Sequence, residues 1–285
     1  MQAGYKWAIS AIAIAFSGVL LIHSRTDKEE DIQYNSEIQN HYAVYAIPMP
    51  DQINFAGESV PLSDPDIYER IDRELHVNTY WQSNSLLTFK RANKYFPIIE
   101  PILAENGVPD DFKYLAVIES GLRNVVSPAG AAGYWQFMKT SGKEFGLEIN
   151  SEIDERYHLE KATEAACKYL LAAKEKFGTW TLAAASYNMG MGGLNKQLTR
   201  QKEDDYYDLL LNSETSRYVM RILALKEIME SPKEYGFNFR EKDLYILDSV
   251  KVVTIDTAIL DFADFAQARD LSYKTLKYHN PWLRQ

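Results

Sequence analysis

Residues 109–120 read PDDFKYLAVIES, and the organisation of the chain can be inferred outward from them. Pro109 suits the first position of a helix. With about 100° of rotation per residue, four side chains fall on one stripe of that helix: Phe112, Leu115, Ala116 and Glu119. A carboxylate on an apolar stripe breaks the expected pattern, and such violations tend to lie at functional sites. The sequence therefore predicts a helix in which Glu119 has a chemical role.

Helical spacing of apolar residues continues on both sides, which predicts a mainly α fold class. Before this stretch, one helix is expected from Pro65 and another over residues 85–105, where Pro97 and Pro101 should kink or split it. After it, residues 127–133 read as a loop. Helices are expected over residues 135–145, 162–177 (closed by Gly178), 180–187 and 218–229.

The two ends of the chain differ from this helical region, 64–240. Residues 7–22 carry no charge, so residues 1–24 are predicted to be a signal peptide or membrane anchor, followed by a polar linker over 25–63. The rest of the chain is then expected in the cell envelope, as a secreted or membrane-anchored periplasmic protein. Residues 244–255 alternate and are β-branched, which favours a strand, and 256–269 look helical. A small α+β segment is thus expected at 241–285.

Composition excludes several classes of protein. The formal net charge is −9 and no stretch is strongly basic, which argues against nucleic acid as a partner. The five histidines are scattered and Cys167 is the only cysteine, so neither a metal site nor an intrachain disulfide is predicted, and no cofactor is expected. Cys167 lies in an alanine-rich helical pattern and is expected to be buried and inert.

Four motifs between residues 108 and 225 suggest a family. They are AVIES at 116–120, SPAGAAGYWQFM at 127–138, DER at 154–156 and AASYNMG at 184–190. In order and spacing they resemble the lytic murein transglycosylases, and in particular the membrane-bound type D branch. Lys139 departs from the family's usual proline, at a position without chemical function. The segment from Val250 resembles the start of a LysM-like glycan-binding module without its closing strand.

The resemblance implies a lysozyme-like helical catalytic domain that acts on peptidoglycan. Family members cleave the β-1,4 bond between N-acetylmuramic acid (MurNAc) and N-acetylglucosamine (GlcNAc), and leave 1,6-anhydro-MurNAc ends. One glutamate serves as general acid and then as base. Glu119 fits this role on physical grounds as well, because burial raises a carboxyl pKa. Asp110 and Asp111 lie about two turns away, and Asp154 and Glu155 look like local salt-bridging and capping groups.

The other predicted site residues come from the same resemblance. Gln136 matches a glutamine that lines the cleft, although a surface position on a short helix is the alternative. Tyr187 and Asn188 match a Tyr-Asn pair whose tyrosine orients the catalytic glutamate. Tyr218 matches a later cleft tyrosine or begins a core stripe. Ser120 either contacts substrate or caps the helix.

Two alternative functions remain at this stage. A goose-type muramidase would share the fold and the glutamate but add water. A non-catalytic glycan-binding protein of the same fold would be expected to lack Glu119, Gln136 or Tyr187, and all three are present. The sequence does not indicate an oligomeric state.

Overall fold

The computed structural model describes Ile32, Ser36 and residues 44–284. The predicted signal peptide or anchor at 1–24 lies outside these residues. Within the part that the structure describes, no helix combines the length and the apolar character that a bilayer span requires.

Helices dominate the fold, and the only paired strands of this part are two short ones, so the mainly α prediction is confirmed. The elements are β1 (Asn54–Phe55), β2 (Glu58–Ser59), α1 (Pro65–Tyr80), α2 (Gln82–Glu105), α3 (Lys113–Ser120), α4 (Lys139–Glu144), α5 (Leu159–Phe177), α6 (Trp180–Met189), α7 (Met191–Gln201), α8 (Ser213–Glu230), α9 (Phe262–Gln267) and α10 (Tyr273–His279). Short 3₁₀ turns cover Asp110–Phe112, Glu155–Tyr157 and Glu241–Asp243.

Helix α8 lies at the centre of the fold and positions the site. It packs against α1, α3 and α6, while α5 packs against α2 and α6. Its N-cap is Asn212, whose side chain accepts from the backbone N–H groups of residues 214 and 215. The residues of α8 that face its neighbours, including Val219, Ile222 and Leu223, are fully buried. Because α3 packs on α8, the end of α3 is fixed against a rigid element.

Several helix boundaries match the sequence, and others do not. Gly178 ends α5 in the left-handed conformation, at φ 83°. Helix α2 runs through Pro97 and Pro101 as one element, so of the kink or split expected at these prolines the split does not occur. The predicted helix 135–145 is reduced to α4, because the chain before Lys139 forms turns. Helix α6 ends at Met189 with Gly190 as its C-cap, and α7 begins directly at Met191.

The structure differs from the linker expectation over residues 47–63. The antiparallel pair β1–β2 lies here, and Phe55 is fully buried with its ring 5.1 Å from that of Phe112. Glu58 accepts hydrogen bonds from the backbone N–H groups of Trp180 and Thr181, at 2.6 and 2.8 Å, and so caps α6. The segment is polar on average, but its few apolar side chains point inward, which an average over the stretch conceals.

The C-terminal segment also differs from its prediction. Residues 244–255 form no strand and are mostly exposed, so the strand prediction and the β part of the α+β segment are wrong. A strand requires a hydrogen-bonded partner strand, and residues 244–255 pair with no strand among the described residues. The helical part is present as α9 and α10. Leu283 instead forms an isolated bridge with Ile153, so the end of the segment packs on the helical domain.

Candidate active site

Glu119 is the penultimate residue of α3, and this position gives its side chain access to solvent. Gly121 follows in the left-handed conformation at φ 60°, and its N–H closes the helix on the carbonyl of Val117 at 2.8 Å. The preceding residues of α3, from Tyr114 to Ile118, are buried, whereas Glu119 is partly exposed. The predicted apolar stripe therefore leads to a carboxyl group at the edge of the core.

Tyr218 of α8 holds this carboxyl group. Its hydroxyl donates a short hydrogen bond to Oε1 of Glu119. The tyrosine is only 2% exposed, so its hydroxyl is fixed in place. No hydrogen bond from any described residue reaches Oε2 of Glu119, which leaves that oxygen available to a ligand.

Burial raises the pKa of Glu119 to about 7, well above the ordinary value of 4.5. The hydrogen bond from Tyr218 and the positive charge of Arg221 each lower this pKa, and the negative charge of Glu214 raises it. Desolvation wins because it disfavours the charged form more than the two favourable contacts stabilise it. The raised pKa therefore keeps a substantial fraction of the carboxyl group protonated at neutral pH.

Arg221 and Glu214 were missed by the sequence reasoning. Arg221 donates to the carbonyl of Ile118 at 3.1 Å, which brings its charge next to the end of α3. The spacing carried a signal, because residues 214, 218 and 221 are four and three apart and share one face of a helix. Helical spacing from Tyr218, a predicted cleft residue, therefore indicates both Glu214 and Arg221.

Tyr187 does not orient Glu119 by a hydrogen bond, contrary to the role implied by the resemblance. Its hydroxyl donates to the backbone carbonyl of Trp135 at 2.8 Å. Burial raises the pKa of Tyr187 well above its ordinary value, and the negative charge of Glu119 adds to the increase, so the two groups are nevertheless near each other. The orienting contact comes from Tyr218, because α8 rather than α6 presents a tyrosine hydroxyl to the carboxylate.

Asn188 connects α6 to the first turn of α8. Its Oδ1 accepts from Thr215 Oγ1 at 2.8 Å, and its Nδ2 donates to Glu214 Oε1 at 3.3 Å. The amide thus fixes the carboxylate whose charge raises the pKa of Glu119. This contact gives Asn188 an indirect link to the site.

Gln136 lies in a turn with a positive φ of 51°. Its Nε2 donates to the carbonyls of Val125 and Gly133, at 3.0 and 2.7 Å. The amide nitrogen therefore holds the loop together. No described residue donates to Oε1, which is the part of the side chain that remains available.

Ser120 is buried and engaged within the fold, which argues against the predicted contact with substrate. Its hydroxyl bonds the carbonyl of Tyr134 at 2.7 Å and that of Ala116 at 3.2 Å. The bond to Tyr134 joins the end of α3 to the loop of residues 127–138, which we call the motif loop. Of the two roles considered for Ser120, the structure supports the local one.

The aromatic pair of the motif loop also packs inward. Trp135 is fully buried, and its indole N–H donates to Thr163 Oγ1 at 2.8 Å. The ring of Tyr134 lies 5.0 Å from that of Tyr95 in an edge-on arrangement. Neither ring is placed to stack on a sugar.

Arg156 anchors the motif loop through hydrogen bonds to its backbone. Its guanidinium bonds both carboxylate oxygens of Asp154, at 2.9 and 2.7 Å. Nη1 donates to the carbonyls of Gly130 and Phe137, at 3.0 and 3.1 Å. Gly133 is required at its position, because a Cβ there would lie 1.7 Å from the carbonyl oxygen of Arg156. The predicted salt-bridging role of the third motif is what the structure shows.

Other ionisable groups of interest lie outside this arrangement. Lys226 pairs with Asp111 at 2.7 Å and Lys113 with Asp110 at 2.5 Å, so these aspartates serve the fold. Cys167 is buried, as predicted, and burial raises the pKa of its thiol to about 12. Among the residues that the structure describes, no three His, Cys, Asp or Glu side chains are grouped as a metal ion would require.

Comparison with known proteins gives two domain matches. The model of the Transglycosylase SLT domain matches residues 96–210, and the model of the Soluble lytic transglycosylase C-terminal LysM-like domain matches residues 251–285. Similar curated proteins include the Membrane-bound lytic murein transglycosylase D of Escherichia coli K12 and of Escherichia coli O6:H1 strain CFT073. Each is 29% identical over 205 residues, which cover 69% of this chain and 44% of the relative. The chain thus spans less than half the length of these relatives.

Proposed function

We infer the function from the premise that the chain carries a Transglycosylase SLT domain and a LysM-like C-terminal domain and is homologous to membrane-bound lytic murein transglycosylase D. We propose that it is a lytic transglycosylase with Glu119 as its catalytic acid and base. The substrate is the glycan strand of peptidoglycan, cut at the β-1,4 bond between MurNAc and GlcNAc. The product is a strand that ends in 1,6-anhydro-MurNAc.

One observation carries the proposal. The Glu119 carboxyl group has a pKa of about 7, has one oxygen held by Tyr218, and lies partly exposed at the end of a buried helix. An acid catalyst is most effective when its pKa is near the working pH, because it is then both protonated and able to release its proton. An ordinary surface glutamate would be almost fully ionised under the same conditions.

The reaction can be written with this single carboxyl group. Protonated Glu119 donates its proton to the glycosidic oxygen, the bond from C1 of MurNAc to that oxygen breaks, and GlcNAc leaves with a free C4 hydroxyl. The acetamido oxygen of MurNAc stabilises C1. The Glu119 carboxylate then accepts the proton of the C6 hydroxyl while O6 bonds to C1. Glu119 is thereby protonated again, and no water is consumed.

The neighbouring residues fit supporting roles. Tyr218 and Arg221 stabilise the carboxylate that forms after the first proton transfer, since both favour the charged state. Gln136 offers Oε1 to an N–H of a sugar acetamido group. We assign Tyr187 and Asn188 to the support of the cleft, through the carbonyl of Trp135 and the carboxylate of Glu214.

The same premise supports a location in the cell envelope, where peptidoglycan lies. The relatives are named as membrane-bound proteins. A periplasmic location, through a signal peptide or anchor at residues 1–24, belongs to this proposal. Fractionation of cells that express the tagged full chain tests it, and recovery in the cytosolic fraction alone would contradict it.

Mass spectrometry of digested peptidoglycan tests the reaction directly. We expect wild-type protein to release fragments that are lighter by one water than hydrolysis products and that carry 1,6-anhydro ends. Reducing MurNAc ends would instead identify a muramidase and exclude the lyase.

Glu119→Gln tests the residue, because the amide has nearly the same shape and cannot donate a proton as an acid does. We expect the variant to sediment with insoluble peptidoglycan as wild type does and to release no fragments. Glu175→Gln is the matched control, since Glu175 is an exposed glutamate on α5. Normal cleavage by Glu119→Gln would refute the assignment of the catalytic acid.

A further inference from the structure

The C-terminal segment, residues 245–284, is attached to the helical domain at two points, and each of them connects to the motif loop through a short series of contacts. We propose that Lys94 and Trp282 are positioning residues, through which the docked segment holds the motif loop in the conformation that the active site uses. The effect on turnover rests on the proposed function, whereas the effect on the loop does not.

The first attachment is made by Lys94 of α2. Its Nζ donates to Asp248 Oδ2 at 2.7 Å and to the hydroxyl of Tyr278 at 3.1 Å. The lysine side chain is only 13% exposed. Next to it, Asn93 Nδ2 donates to the carbonyl of Tyr245 at 2.9 Å. Charged and neutral hydrogen bonds thus fix both the start of the segment and α10 to one turn of α2.

This attachment continues directly to the motif loop. Lys94 lies over the ring of Tyr95, 5.8 Å from its centroid, and Tyr95 packs edge-on against Tyr134. Tyr134 in turn accepts the hydrogen bond from Ser120, the residue after Glu119. A displacement of this turn of α2 would therefore reach the loop through close-packed rings, which do not yield without a rearrangement.

The second attachment is at the other end of the segment. The backbone N–H of Asp154 donates to the carbonyl of Trp282 at 2.9 Å, and the N–H of Arg284 donates to the carbonyl of Glu152 at 2.8 Å. The indole of Trp282 lies on the imidazole of His158, with 4.0 Å between the ring centroids. Together these contacts make a short antiparallel pairing that is covered by an aromatic contact.

This second attachment reaches the loop through one side chain. Asp154 is the residue whose carboxylate holds both Nε and Nη2 of Arg156. Nη1 of Arg156 binds two carbonyls of the motif loop, at Gly130 and Phe137. The C-terminal segment therefore fixes the backbone of Asp154, and the Asp154 carboxylate in turn fixes the Arg156 guanidinium that binds the motif loop.

The motif loop depends on such outside contacts because it has little regular structure of its own. Gly130, Gly133 and Gln136 all have positive φ. Its internal hydrogen bonds close turns and isolated bridges rather than a helix or a sheet, among them Ala132 N–H to the carbonyl of Phe137 at 3.0 Å. Loops of this kind open locally at low cost unless neighbouring elements hold them.

Amide hydrogen exchange of the full chain tests the proposal without reference to activity. In Lys94→Met and in Trp282→Ala, we expect the amides of residues 127–138 to exchange about tenfold faster than in wild type, as local opening becomes easier. The amides of α8 serve as the internal reference and should keep their protection. Leu260→Ala is the control, because Leu260 lies in the same segment and is 94% exposed.

Two results would overturn the proposal on this measurement. Unchanged exchange of residues 127–138 in both variants would show that the segment does not hold the loop. Equal loss of protection in the loop and in α8 would show that the segment stabilises the whole domain instead. Lys94→Arg keeps the charge that pairs with Asp248, so it should largely restore slow exchange.

Kinetics separate this role from glycan binding by the segment itself. If the segment positions the loop, Trp282→Ala lowers kcat on long strands and on short fragments alike. If the segment only binds glycan, the variant raises KM on long strands and leaves short fragments unaffected, which contradicts the proposal. A wild-type protein that releases no anhydro ends would count against the proposed function, whereas the exchange result would still decide the inference.

Discussion

Replacing Tyr218 with phenylalanine removes the hydroxyl that donates to Glu119 and leaves the ring in place. This hydrogen bond lowers the pKa of Glu119, so its loss must raise that pKa above about 7. A hydrogen bond to a charged group contributes roughly 1.5–3 kcal/mol, and one pKa unit corresponds to about 1.4 kcal/mol. Because the Glu119 side chain is partly exposed, water replaces part of the lost bond, and we expect a shift of about one unit.

The direction of the effect on activity follows from the role of the acid. Glu119 must be protonated to act, so activity is present below its pKa and is lost as pH rises through it. In Tyr218→Phe, the alkaline limb of the kcat/KM profile should therefore move to higher pH. The maximal rate should fall by about tenfold or more, because the carboxyl group is less well oriented.

The assay is the rate of release of anhydro ends between mildly acidic and alkaline pH. Tyr206→Phe is the matched control, since the hydroxyl of Tyr206 is buried and donates to the carbonyls of Thr215 and Ser216, both at 2.9 Å. Its limb should stay in place. An alkaline limb of Tyr218→Phe that remains in place or moves to lower pH would refute the account of how Glu119 is tuned.

Two further predictions concern stability. Gly133→Ala should destabilise the fold by about 3 kcal/mol or more in urea unfolding, because its Cβ would collide with the backbone of Arg156. Gly130→Ala is the control: there is open space around its Cβ, so it should cost about 1 kcal/mol from backbone strain alone. Equal losses of stability in the two variants would contradict this prediction. Burial tends to raise the pKa of Glu58, but hydrogen bonds from the start of α6 outweigh it and hold the pKa below 4.5. The stability that this carboxylate contributes is therefore present above pH 4.5 and lost as pH falls through its lowered pKa. Glu58→Gln should lower the free energy of unfolding by about 1 kcal/mol at neutral pH and should remove this contribution to the loss of stability in acid. If the melting temperature of the variant falls with decreasing pH as steeply as that of wild type, the prediction is wrong.

The sequence located the centre of the candidate site because the decisive features are local. Helical periodicity placed Glu119 on the apolar stripe of α3, and the structure puts that position at the edge of the core. The second and third motifs were likewise found as contiguous residues. The roles of individual residues were only partly anticipated, since Ser120 of the first motif turns inward to bond the motif loop rather than outward to a substrate.

Contacts between side chains that are far apart in the sequence could not be predicted from local patterns. The choice between Tyr187 and Tyr218 as the partner of Glu119 depends on which helix presents its hydroxyl to the end of α3. Local pattern is the same for both tyrosines. The strand predicted at 244–255 failed for a related reason, because strand-like residues form a strand only when a partner is available.

The sequence by itself determined a mainly helical domain, a glutamate on an apolar stripe, and the motifs that surround it. These follow from periodicity and residue chemistry over a few turns of chain. Only the tertiary structure decided the pKa of Glu119, its tyrosine partner, the place of the hairpin at β1 and β2, and the docking of the C-terminal segment. Each of these depends on desolvation or contact between segments far apart in the chain, and those distances are fixed only when the helices pack.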